Sequence, residues 1–173
     1  MRIIASAFAI GLIGCGVDLD EIEQDVAIEE ELKPLRASLA RYNDFNNALA
    51  DGYQLGYKGD AAGCVRDMRV PSAGAMGYHY FRWDKMDDPT IDEMDPEVLV
   101  YHTRDGKMKL GAVEWVVHKP AWEAAGNMGA PAVYGQDLHI LNPVLNWYVA
   151  HAWVYVENPA GIYMDWNPDV RCP

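Results

Sequence analysis

The chain has 173 residues, of which 50% are apolar, 23% charged and 11% aromatic. That length and mixture suit one globular domain with a real core and exclude a disordered or fibrous chain. Fourteen basic residues face 26 acidic ones for a net charge of −12, which excludes nucleic acid and anionic lipid headgroups as partners held by charge.

After Met1 and Arg2, the run from Ile3 to Gly14 is apolar and uncharged. A short positive start before an apolar run of about 12 residues has the grammar of an export signal, and such a run is too short to span a bilayer. It ends in Leu12-Ile13-Gly14-Cys15, which resembles a bacterial lipobox. Residues 1–14 therefore read as a lipoprotein signal peptide, with Cys15 as the lipidated N-terminus and the lipid as the only membrane contact. The alternative is an ordinary secretory signal with an incidental cysteine. Gly16 and Val17 lack the aspartate that marks inner-membrane retention, which favours the outer membrane of a Gram-negative envelope. Residues 15–33 carry eight acids from Asp18 to Glu31 before the first base, Lys33. They read as an acidic tether, without the spacing of a calcium loop, and residues 34–173 as the single globular domain.

Pro34 stands where a helix can begin. Leu35, Leu39, Tyr42, Phe45 and Leu49 recur at three- and four-residue steps before Gly52, predicting one amphipathic helix over 35–51. Beyond Gly52 the pattern becomes short apolar or aromatic runs between turn residues, with strands expected at 75–83, 97–103, 110–118 and 147–157. Asp105-Gly106 between the second and third predicts an antiparallel hairpin. Residues 119–143 read as a surface loop with a short helical piece at 121–125, and 158–168 as a series of turns. The sum is an α+β domain, an N-terminal amphipathic helix packed on a mainly antiparallel sheet. Cys64 and Cys172 are the remaining cysteines. In an oxidising compartment they pair as one disulfide, and the absence of a Cys-x-x-Cys spacing disfavours zinc.

Three strands carry polar groups among apolar neighbours: His79 in Gly77-Tyr78-His79-Tyr80, Glu114 in Val113-Glu114-Trp115, and His151 in Ala150-His151-Ala152-Trp153. A buried carboxylate needs a cation, a metal or several hydrogen bonds. One expectation is therefore that His79, Glu114 and His151 converge, with His118, Met76 or Asp165 nearby. They would form a two-histidine, one-carboxylate site for a divalent metal or an acid/base pair. The plainer expectation is a hydrogen-bonded polar cluster in the core. Six tryptophans and ten tyrosines suit either a packed core or an aromatic pocket, in which Tyr80, Trp115 and Trp153 would serve as walls. There is no HExxH, Gly-x-Ser-x-Gly, Cys-x-x-Cys-His or phosphate-cradling glycine loop, so the common metal, hydrolase, covalent-haem and nucleotide signatures are absent.

The segments Ala48 to Tyr53, Cys64-Val65, Ala75 to Tyr80, Pro96 to Tyr101, Val113 to Trp115, His151 to Trp153, and Asn158-Pro159-Ala160-Gly161 through Trp166-Asn167-Pro168 to Cys172 together resemble a family of uncharacterised exported bacterial proteins, many of them lipoproteins. The resemblance implies export and a recurring role for the His79, Glu114 and His151 segments, but no activity. It departs from the family pattern at Asn146 to Ala150, where a further histidine is common, and this weakens a histidine-rich metal site. Three functions stay open: binding of a small molecule or metal in an aromatic pocket, an envelope enzyme using a Glu114/histidine acid-base pair, and a structural or interaction lipoprotein.

Overall fold

A computed structural model describes residues 29–56, 63–140 and 145–173. The export signal, Cys15 and the tether up to residue 28 lie outside the described residues. Among the described residues no helix is long and apolar enough to cross a membrane.

Helix is present from residue 29. Leu32, which its acidic neighbours placed in the tether, is fully buried with Leu35 and Leu39 and packs with the helical segment. Helix α1 (Lys33–Leu39) carries Pro34 in its first turn, where a missing N–H breaks no helical bond. A 3-10 turn (Ala40–Asn43) and helix α2 (Phe45–Ala50) follow. The single helix expected over 35–51 is therefore broken. Asp44 leaves the helical region (φ −86°, ψ 107°), and its carboxylate accepts the Asn46 backbone N–H at 3.1 Å. Asn47 Nδ2 donates to the Arg41 carbonyl at 2.8 Å across the joint. Short polar side chains compete in this way with the helical ladder. Leu49, counted on the apolar face, is consequently exposed.

The strands, in chain order, are β1 (Gln54–Leu55), β2 (Cys64–Arg66), β3 (Ala75–Phe81), β4 (Val98–Arg104), β5 (Lys107–His118), β6 (Ala132–Val133), β7 (Gln136–Asp137), β8 (His139–Ile140) and β9 (Trp147–Trp153), with helix α3 (Lys119–Ala124) after β5. The main sheet runs β1-β3-β4-β5-β9-β8 with β2 also on β3, and its pairs are antiparallel. Strands β6 and β7 form a separate hairpin. The β4–β5 connection is the expected two-residue turn, with positive φ at Asp105 (52°) and Gly106 (71°), the pairing that follows the twist of the strands. Strand β9 stops at Trp153 rather than 157 because the Val154 and Tyr155 N–H groups both turn onto the Gly111 carbonyl, at 3.1 and 3.0 Å.

Alternation along the strands divides the core in two. One face sets Leu99, Tyr101, Val113, Trp115 and Val117 against Leu32, Leu35, Leu39 and Ala48 of the helical segment. The other gathers Phe81, Val98, Val100, Ala112, Val116, Val149 and Trp153 with Val170 of the C-terminal segment. That segment is tied down at two points. Asn167 and Ala75 exchange backbone hydrogen bonds at 3.2 Å, and Cys172 is disulfide-bonded to Cys64. Gly74, at φ +92°, is required here, since a Cβ on it would lie 1.9 Å from the Asn167 carbonyl oxygen.

Candidate functional site

Glu114 on β5 is the direct cross-strand partner of His151 on β9. On the other side β4 intervenes, with Val98 opposite Glu114 and Val100 opposite His79. The His79 ring therefore crosses β4 diagonally to reach the carboxylate. Both imidazoles meet one oxygen, Glu114 Oε1, His79 through Nε2 and His151 through Nδ1, each at 3.2 Å. All three groups are buried, at 5%, 3% and 1% exposure for His79, Glu114 and His151.

Burial pushes the Glu114 carboxyl up, but the adjacent His79 and the hydrogen bonds from both imidazoles outweigh it and hold the group well below the usual carboxylate range. Glu114 is thus ionised and can only accept, so His79 Nε2 and His151 Nδ1 must donate. Their other nitrogens, His79 Nδ1 and His151 Nε2, are buried and have no hydrogen-bond partner among the described residues. Glu114 thereby orients both rings. Its low pKa also removes it as a general acid near neutrality; in an acid/base reading the proton is taken by an imidazole.

One ligand atom from each of His79, Glu114 and His151 lies within 4.8 Å of the others. The donor types suit a divalent transition metal. A histidine bound to metal gives its second N–H to an acceptor. Were Nε2 of His79 and Nδ1 of His151 the ligands, their remaining N–H groups would be the two that lack partners. Each orphan of that kind costs about 1–3 kcal/mol. The same two nitrogens lack partners when Glu114 holds the rings, so this cost is shared by a carboxylate cluster and a metal site.

A cavity of about 210 Å³ opens beside the cluster. His79 and Glu114 contribute to its lining, with Met76, Phe81, Trp147 and Trp166 as walls and, among the described residues, no Lys or Arg. The Phe81 ring is stacked on Trp83 at 4.8 Å and tilted against Trp147 at 5.8 Å. A larger cavity of about 350 Å³ lies between Arg36 and the chain around 153–162, where Arg36 Nε is engaged by the Val154 carbonyl at 2.7 Å.

Of the expected walls, Trp153 stands on the site's face, its ring 4.9 Å from that of His151. Met76 lines the cavity as well. Tyr80 and Trp115 do not. Each sits one residue from a site group and so points to the opposite face. Tyr80 packs edge-on to Phe45 and Tyr101, while Trp115 is sealed against Tyr134 with Nε1 donating to the Glu93 carbonyl. His118 lies at the end of β5, 4.0 Å from Asp87, and Asp165 is 3.8 Å from His139; neither joins the cluster. The cavity walls Phe81 and Trp147 were missed, though each shares the strand parity of its site histidine. Trp166 gave no periodic signal, because the C-terminal segment brings it in. Glu97 was missed too. It is buried, accepts the Val116 backbone N–H at 2.9 Å, and burial lifts its carboxyl to about 7.

Compared with family models, with curated proteins and with solved structures, the chain matches none.

Proposed function

We propose that the chain is an exported protein, lipid-anchored through Cys15 to the bacterial cell envelope, on the outer membrane where there are two, and that it binds a small molecule in the cavity beside His79 and Glu114. The reading is carried by a cavity whose lining includes His79 and Glu114, with His79 Nδ1 buried and without a hydrogen-bond partner among the described residues. An unpaired buried polar group costs free energy until a partner reaches it. Export is supported by the pattern from Arg2 to Cys15 and by the Cys64–Cys172 bridge, since disulfides persist in oxidising compartments.

Native mass spectrometry of the full chain, expressed with its own signal and extracted in mild detergent, tests both parts. The expected spectrum has an acylated Cys15 and a small organic adduct that Val65→Trp, a change at the cavity lining, abolishes. A cleaved mass without lipid overturns the anchor. An adduct-free mass, with no thermal shift from a panel of small aromatic compounds, overturns the binding reading and leaves a structural cluster.

The Glu114–His79 hydrogen bond favours a second reading. A carboxylate that fixes one imidazole nitrogen prepares the other as a general base, with Glu114 positioning and His79 Nδ1 accepting the proton. Turnover of a substrate by the native chain, lost in His79→Gln with binding retained, distinguishes this enzyme from a binding protein.

A further inference from the structure

Three donor atoms converge on one point of the sheet. His79 Nε2 and His151 Nδ1 both stand 3.2 Å from the same carboxylate oxygen, Glu114 Oε1, and all three atoms lie within 4.8 Å of one another. A charge-assisted N–H···O bond closes to about 2.7–2.9 Å, and both contacts here are longer. Nitrogen and oxygen donors around a tetrahedral zinc ion stand about 3.4 Å apart. The spacing is therefore nearer to that of ligands around one ion than to that of two charge-assisted hydrogen bonds.

The scaffold holds that spacing. Glu114 and His151 are direct cross-strand partners on β5 and β9, and His79 comes from β3 across β4, so each group is set by a paired strand rather than a loop. Two imidazoles and a carboxylate are donors for zinc or another divalent ion of the first transition row. Cys64 and Cys172 are joined to each other and offer no thiolate. His79 and Glu114 also line the cavity of about 210 Å³, which gives an ion a way in and leaves room for a further ligand. Among the described residues its lining holds no other His, Asp, Glu or Cys. Three protein ligands, with a position left to water or a small molecule, is the arrangement of reactive rather than structural zinc sites.

Beyond the small-molecule reading, and independently of it, we infer that His79 Nε2, Glu114 Oε1 and His151 Nδ1 bind one divalent transition-metal ion, with its open coordination position towards the cavity. On binding, each imidazole gives up the proton on its coordinating nitrogen. A neutral ring then carries that proton on its far nitrogen, while a charged ring already carries one there and releases the other to solvent.

The test is calorimetric titration of the full chain, extracted in detergent and stripped with a chelator, with zinc chloride, together with imidazole nitrogen NMR spectra before and after. One zinc per chain is expected. Glu114→Gln and His151→Gln should each weaken it by more than about 100-fold, beyond the roughly 10–100-fold that loss of an outer partner costs. A His118→Ala/His139→Ala variant, which removes the two histidines near Asp87 and Asp165, should bind zinc like the native chain. In the spectra His79 Nε2 and His151 Nδ1 should lose their protons when zinc is added, a readout on the native chain that decides the matter if the site variants fail to fold. Zinc uptake that survives Glu114→Gln, or that disappears with His118 and His139, overturns the inference in favour of an adventitious surface ion, as do spectra in which zinc leaves the site imidazoles unmoved. Absence of zinc uptake overturns it as well; a thermal shift from small aromatic compounds in the same chain then leaves the small-molecule reading standing, and no shift removes both.

Discussion

Replacing Glu97 with glutamine should make the protein more stable at pH 8 and leave it nearly unchanged at pH 4.5. The carboxyl is buried at the start of β4, accepts the Val116 backbone N–H, and is lifted by burial from an ordinary 4.5 to about 7. Between those values the folded chain holds a proton that the unfolded chain has released, so stability falls as pH rises through this window and is level above it. At 1.36 kcal/mol per pH unit, the interval corresponds to about 3 kcal/mol. Glutamine is neutral throughout and keeps the oxygen that accepts from Val116, so Glu97→Gln should lack this loss. Urea unfolding followed by tryptophan fluorescence at pH 5, 6, 7 and 8 measures it directly. The expected result is a difference between variant and native chain that grows with pH to about 3 kcal/mol. A variant that is less stable at pH 8, or a difference that does not change with pH, would refute the reasoning and mean that Glu97 ionises inside the fold with a partner.

Glu114 behaves in the opposite sense. Its depressed pKa contributes stability present above its ordinary value and lost as pH falls toward its folded value. Acid unfolding of the native chain should therefore be steeper than that of Glu114→Gln. Truncation to alanine leaves two imidazole N–H groups without an acceptor, and Glu114→Ala should lose about 3–5 kcal/mol in urea unfolding, with the glutamine variant much closer to native. Removing the bridge in a Cys64→Ser/Cys172→Ser double variant frees residues 108 apart in the chain. Denaturant titration should show a loss of about 4–5 kcal/mol. Gly74→Ala combines an unfavourable positive φ with a Cβ 1.9 Å from the Asn167 carbonyl. It should lose at least about 2 kcal/mol and speed amide exchange at Asn167, read by mass spectrometry.

The long strands and the hairpin were legible because period two and an Asp-Gly turn are local signals carried by many residues. The meeting of His79, Glu114 and His151 was legible for a related reason: each is a polar residue amid apolar strand neighbours, and burial forces such groups to find one another. The same periodicity, applied consistently, would have assigned Tyr80 and Trp115 to the far side and Phe81 and Trp147 to the near one. Aromatic character alone does not tell the two faces apart, because both faces of the sheet carry rings. Other features had no local signal. Strands β1, β2 and β8 span two or three residues, too few to show a period, and form because β3 and β9 offer them backbone partners. The break at Asp44 was readable in principle from Asn43-Asp44, but Phe45 and Leu49 kept the helical spacing across it. Leu32 was masked by Glu29, Glu30, Glu31 and Lys33, since a lone leucine among charges carries no pattern. Trp166 reaches the cavity through the Asn167–Ala75 pairing and the Cys64–Cys172 bridge, both long-range.

That last wall has a consequence for the order of assembly. Trp166 follows every strand of the sheet in the chain, and the covalent tie that secures its segment joins it to β2, near the other end of the fold. A nascent chain can pair β3, β4, β5 and β9 and bring His79 to Glu114 before the residues that close the cavity have emerged. The recess is then an open shelf, and it acquires its final wall only when the C-terminal residues arrive and two thiols are oxidised. Closure of the cavity is thereby set by the segment of Trp166, which follows every strand of the sheet.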